Sequence, residues 1–528
     1  MEFPYHPTKE ITLISGKQIS EHPVTTKMPE AQKFFNQGLT FLYGFNHDAA
    51  YWSFQKAVAL DPSLAMGYWG MALALGPNIN MDVTHKAEGI AFSHIQKATE
   101  LTENISESEK DYIFALAKRY TDVPNPDLKK LNFNYMEAMK QLRFKYPDDP
   151  DAAVLYAESA MDVNPWKQWT VQGEPLPGTM EIVETLETVL KRQPNHLGAN
   201  HYYIHAIEAS KHPEYAMVSA ERLRKLAPSL GHITHMPSHI YLLVGDYHEA
   251  ATANEAAIAA DLSYIRQYGL DGIYPLHYLT HNYYFLIRAL SMEGRLKSAI
   301  TAADELNAFY FPHFKEMPEL EYYLSAKMFV LLRFHKWKEL LEIKPPKAYA
   351  KEEMAVTEAL WHFARGLSFA AIGDQENALN EKSLFTAQKN KIPKDAVFGF
   401  NSVEPIFQIA ENVLLAEMAK FEGDFLKEIA FLKEAVLIQD TLNYNEPPDW
   451  YFPVRESLGM AFLRNNQIRE AEEVFRQDLN IHPRNPRSLY GLLLTLKKQS
   501  RPTDSFFVQK EFEQASQYSD STLSPSDL

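Results

Sequence analysis

At 528 residues the chain exceeds one ordinary hydrophobic core, which stops growing near about 250–300 residues, so it reads as several domains or as a repeat array. A net charge of −16 argues against nucleic acid and anionic membranes as partners, and no run of about 18 apolar residues marks a membrane span. Cysteine is absent, which excludes disulfides and thiolate ligands and leaves histidine and carboxylate to hold any metal.

The chain divides by its punctuation. Residues 1–29 read as an N-terminal extension. The segment MEFPYHPTKEITLISG lacks a basic stretch followed by an apolar core, so no signal peptide is expected, and the compartment reads as cytoplasmic or periplasmic. Residues 30–160 carry the first helical repeats. From Phe34 to Pro62, Gly38, Ala50, Phe54, Ala57 and Pro62 fall at the small-residue, aromatic and helix-stop positions of the tetratricopeptide pattern. The related helix AMGYWGMALALG stops at Gly76-Pro77-Asn78. Residues 161–195 hold a loop insertion and a helix. The loop Val163–Gly178, rich in Pro and Gly with two Trp, is expected to be ordered and able to cover a groove.

Residues 196–300 form three histidine-rich repeats. Residues 301–500 continue the array through Gly366/Gly373/Ala378, Ala416/Gly423/Ala435, and Gly459, Phe462, Ala471, Phe475 and Pro483, with a second Pro- and aromatic-rich loop at Asn443–Pro453. Residues 501–528 are expected to be disordered. No segment alternates like a strand. The predicted fold is all-α: a tetratricopeptide-like solenoid of helical hairpins, a superhelix with a concave groove.

Ten of the 19 histidines lie between His196 and His281. Three pairs have the spacing His-x-x-x-His: His201/His205, His235/His239 and His277/His281. Residues four apart share one helix face, so two imidazoles can reach one ion. The first two pairs are 34 residues apart, the tetratricopeptide period, which puts them at matching places on successive repeats. One helix supplies only two good ligands to one ion, so adjacent helices must complete the shell. The predicted ligands are His201, His205, Glu208, His235, His239, His277 and His281, all facing the groove. Glu208, His232 and Arg288 are the candidate catalytic residues: Glu208 also as a ligand, His232 behind the ligands or facing substrate, and Arg288 holding an anionic substrate. His196, His212 and His248 read as surface or structural.

Seven side chains exceed the four ligands of a closed zinc site, which predicts one or two ions per chain. The three-histidine spacing is similar to that of the dicopper centres of tyrosinases and hemocyanins, in spacing only. Copper or iron is favoured, with zinc or manganese the alternatives.

The segments GFNHDAAYWSFQKAVALDP, AMGYWGMALALGPNIN, ANHYYIHAIEAS, HMPSHIYLLVGDYHEA, NEPPDWYFPVRESLGMAFL and EAEEVFRQDL resemble a family of bacterial tetratricopeptide repeat proteins. The resemblance spans about residues 30–495. It implies the helical solenoid and no settled activity, and it adds Asn46, His47, Asn78 and Asn80 as groove residues or helix caps. The expected function is a metal-dependent enzyme activating dioxygen or water, oxidoreductase ahead of hydrolase, on a small-molecule or peptide substrate in the groove. The alternatives are a peptide- or protein-binding scaffold and a metal storage or delivery protein.

Overall fold

A computed structural model describes residues 10–14, 20–82, 85–269, 274–346 and 354–525. Of the N-terminal extension, only 10–14 and 20–29 lie within the described residues. The chain is all-α, an array of tetratricopeptide-like helical hairpins, and it forms two compact units. The first unit is Met1–Ile240 with Ala253–Leu279; the second is Tyr241–Thr252 with Thr280–Leu528.

The helices in chain order are α1 (Pro29–Tyr43), α2 (His47–Leu60), α3 (Ala65–Ala74), α4 (His85–Glu100), α5 (Glu107–Leu116), α6 (Leu128–Lys145), α7 (Pro150–Val163), α8 (Thr179–Arg192), α9 (Leu197–Ile207), α10 (Met217–Leu226), α11 (Gly231–His235), α12 (Pro237–Leu243) and α13 (Tyr247–Tyr268). They continue as α14 (Thr280–Glu293), α15 (Leu296–Tyr310), α16 (Ala326–Arg333), α17 (Trp337–Leu341), α18 (Ala355–Ile372), α19 (Gln375–Lys389), α20 (Val403–Phe421), α21 (Phe425–Gln439), α22 (Val454–Arg464), α23 (Ile468–Ile481), α24 (Pro486–Lys498) and α25 (Pro502–Ala515). Helix α25 corrects the expectation that residues 501–528 are disordered: Ser505 and Val508 are buried, and α25 packs on α24. The described residues also include a small hairpin, β1 (Val397–Phe398) with β2 (Asn401–Ser402), where no strand was expected.

The repeat signature works through close approach. In the first unit Phe54 of α2 is clamped between Gly38 of α1 and Gly70 of α3; an added Cβ would lie 2.6 and 2.5 Å from its ring. Phe475 of α23 is held the same way in the second unit by Gly459 and Gly491, at 2.5 and 2.2 Å. One aromatic ring thus fills the space opened by two missing side chains, and three helices pack around it.

Asp151, at the start of α7, ties the first unit together. It accepts from the Tyr43 hydroxyl of α1, from His22 Nδ1 at 2.7 Å and from His196 Nε2 at 3.1 Å. His196 Nδ1 accepts the Ala199 N–H and so caps α9. Burial pushes the Asp151 carboxyl up, but the His196 and His22 hydrogen bonds outweigh it and hold it far below the carboxylate range.

Gly459→Val would drive a side chain into Phe475 and should cost about 1–3 kcal/mol, read as a lower melting midpoint by circular dichroism; an unchanged midpoint would refute the clamp. Asp151 has a lower pKa folded than unfolded, so its stabilisation is present above about pH 4 and fades as pH falls below that. Asp151→Asn should therefore cost about 3–5 kcal/mol in urea denaturation at pH 7, with the difference from the native protein narrowing at pH 3.

Candidate metal centre

Five imidazoles and one carboxylate meet inside the first unit. His201 and His205 stand one turn apart on α9, and Glu208 caps its end. His232 and His235 lie on the short α11, which Pro237 separates from α12 and its His239. A tightened turn, His239 N–H to Met236 O at 3.2 Å, carries the chain past that break. All six side chains are interior, at 0–3 % exposure, rather than lining an open groove.

The Nδ1 atoms point outward to fixed acceptors. His201 Nδ1 donates to Tyr43 O at 2.6 Å. His205 and His239 donate from Nδ1 to the two oxygens of Glu208, at 2.7 and 2.5 Å. His235 Nδ1 lies 2.6 Å from Asn254 Oδ1. A neutral imidazole carries one N–H, so these bonds leave Nε2 as a bare lone pair. The Nε2 atoms converge. His201 and His232 approach at 3.1 Å, and His235 and His239 at 2.8 Å. His205 Nε2 is buried without a hydrogen-bond partner, and ligand atoms of His201, His205 and His232 lie within 4.8 Å of one another.

Burial pushes the His201, His205 and His235 imidazoles down, so the neutral, lone-pair form is favoured. The neighbouring imidazoles add to this: His205 acts on His201, and His239 on His235. Burial alone would raise the Glu208 carboxyl, but His239 and His205 outweigh it and bring it to about 2.

Aromatic rings close the cluster. Phe45 packs on His201, His205 and His232, with centroids 4.5, 5.7 and 5.5 Å away. Trp166, from the loop expected to act as a cover, stands edge-on to His205 at 5.5 Å. Tyr278 lies 4.6 Å from His232. Phe45 and Trp166 have φ of +56° and +59°, a left-handed backbone rare for bulky residues. Such strain costs on the order of 1–3 kcal/mol per residue and concentrates at functional sites.

The predicted residues separate as follows. His201 and His205 come together with His232, and His235 meets His239 by Nε2. His232 joins them as a member of the first trio rather than standing behind it. Glu208 lies behind the ligand atoms, since both its oxygens are taken by imidazole N–H groups. His277 falls in a π-helical turn, Pro275–Leu279, where burial lowers it to about 4; the wider turn breaks the i, i+4 register. It is not grouped with His201, His205 and His232. His281 opens α14 in the second unit, 5.7 Å from Phe285. Arg288 is buried in the second unit, its guanidinium 5.6 Å from the Tyr451 ring. Asn46 caps α2 through the Ala49 N–H, the cap role rather than the groove role.

Sequence reading missed Phe45. Its signal was the turn it occupies: Gly245, Gly294, Gly373 and Gly423 hold the same left-handed turn in other hairpins, and here GFNHDA puts phenylalanine at the glycine position.

No family model and no curated protein matches the chain. Among solved structures, it is similar to the human IFIT1 dimer with m7Gppp-AAAA, at 11% identity over 96% of this chain and 98% of that one, with a TM-score of 0.34. Yeast Tom70 is similar at 12% identity over 92% and 93%, with a TM-score of 0.30. Likeness of this degree says nothing about the site.

Glu208→Gln offers one acceptor where two imidazole N–H groups need one each. It should destabilise the metal-free protein by about 1–3 kcal/mol in urea denaturation; equal stability would sink the two-acceptor role.

Proposed function

We propose that the first unit is a metal-binding module that holds a transition-metal ion at His201, His205 and His232, with His235 and His239 as a second ligand pair able to take another. The observation that carries this reading is the 2.8 Å approach of His235 Nε2 to His239 Nε2. Where His235 gives its single N–H to Asn254 Oδ1 and His239 gives its own to Glu208, both Nε2 atoms are lone pairs and a cation between them answers their repulsion; a proton on either Nε2 makes the same contact an ordinary hydrogen bond. The free His205 Nε2 supports the same reading. Copper or iron suits an all-imidazole donor set, with zinc or manganese as alternatives. The Glu208 carboxylate and the Tyr43 carbonyl are the partners that orient such ligands and raise their basicity.

Three histidines leave coordination positions open, which is the arrangement of a catalytic rather than a structural site. A metal there supplies Lewis-acid or redox chemistry. The cluster is buried beneath Phe45, Trp166 and Tyr278, which suits a reactant as small as water or dioxygen better than a peptide. This favours an oxidoreductase acting on small molecules over a hydrolase of large ones. It also counts against a peptide-binding scaffold that uses these histidines as contacts, since an interior side chain cannot touch a docked peptide.

Elemental analysis of the purified full chain should find one or two equivalents of a transition metal. His235→Ala and His239→Ala should each lower that content while the helical circular dichroism persists. A protein that holds no metal after reconstitution would instead have a turned Asn254 amide and a shared proton between His235 and His239, and the proposal would fail.

A further inference from the structure

Helix α14 carries Tyr284, Arg288 and Ser291 at i, i+4 and i+7, one face of the helix, within the second unit. The three are 2, 2 and 1 % exposed. Tyr284 Oη, Arg288 Nε and Nη1, and Ser291 Oγ are buried without a hydrogen-bond partner. Arg333 of α16 reaches the same face, donating from Nε to Ser291 O at 2.9 Å. Its Nη1 is taken by Glu456 at 3.1 Å, and its Nη2 is unsatisfied. Tyr451 packs over Arg288 and donates its hydroxyl to Tyr284 O at 3.1 Å. Arg333 also lines a cavity of about 280 Å³ with Trp450, Phe452 and Arg487.

Glu456 answers the charge of Arg333 and is shared with Arg487. Arg288 forms no such ion pair, and the buried Glu446 carboxylate answers its charge only in part. Burial lowers the Arg288 pKa and the neighbouring Arg333 lowers it further, ahead of the opposing influence of Glu446. A buried guanidinium is costly without a counter-charge. Water could satisfy the donors but could not neutralise them. Every unsatisfied group on this face can donate, and a ligand that only accepts, with negative charge, matches the set.

We propose that Tyr284, Arg288, Ser291 and Arg333 form a buried oxyanion site that takes a carboxylate or phosphate group. The site is argued within the second unit and does not depend on metal in the first.

The test is thermal melting of the full chain in sodium acetate, sodium phosphate and sodium chloride at matched ionic strength. Acetate or phosphate should raise the midpoint by about 2–4 °C over chloride, and which of them does so identifies the group. Arg288→Met should abolish the rise and, without oxyanion, melt no lower than the native protein, because it removes a charge answered only in part. If Arg288→Met does not fold, Tyr284→Phe and Ser291→Ala should each shrink the rise. No rise with either oxyanion, or a full rise in these variants, overturns the site.

Discussion

A histidine has two ring nitrogens, and whatever holds one decides what the other presents. In the first unit Tyr43 O, Glu208 and Asn254 hold the Nδ1 atoms of four imidazoles, so in a singly protonated ring the Nε2 atom is left as an acceptor. The rest of the site follows from that constraint. Glu208 can serve two rings because α9 ends where it does, leaving the carboxylate between His205 and His239. The Tyr43 carbonyl is available because α1 ends at that residue. A cluster of lone pairs in a water-poor interior is unstable by itself, and the strained Phe45 and Trp166 backbones are retained beside it. Both penalties in one place support the proposed metal site.

The packing code explains how the cluster is delivered. Phe54 and Phe475 each fill the gap between two glycines, so successive helices approach closely and repeat their geometry along the chain. The glycine of the first hairpin turn is replaced by Phe45, whose ring seals the imidazoles. Pro237 divides the histidine-bearing segment into α11 and α12, yet His235 and His239 still meet. The two units then differ in chemical character. The first gathers imidazole nitrogens, where we propose a cation, and the second gathers unsatisfied donors on α14 and α16, where we propose an anion.

Much of this was legible in the residues. Periodic small and aromatic residues determine helical hairpins, because only glycine or alanine lets an aromatic ring sit between helices. The 34-residue spacing of His201/His205 and His235/His239 determines that the pairs share a register. Spacing failed where the backbone departed from the α-helix: the π turn removes His277 from its expected face, and α25 is ordered because its apolar face packs on α24.

Tertiary structure alone decided the roles. Glu208 has the spacing of a ligand, yet it orients two rings, because its neighbours are Nδ1 rather than Nε2 atoms. His232 joins the candidate ligands because its ring meets that of His201. Arg288 is an ordinary helix arginine in sequence, and only the fold shows that it lacks an ion pair while Glu456 pairs with Arg333 and Arg487. Local sequence determines which faces a helix offers. Which atom of a side chain stays unsatisfied depends on partners tens or hundreds of residues away, and only the folded chain brings them into reach.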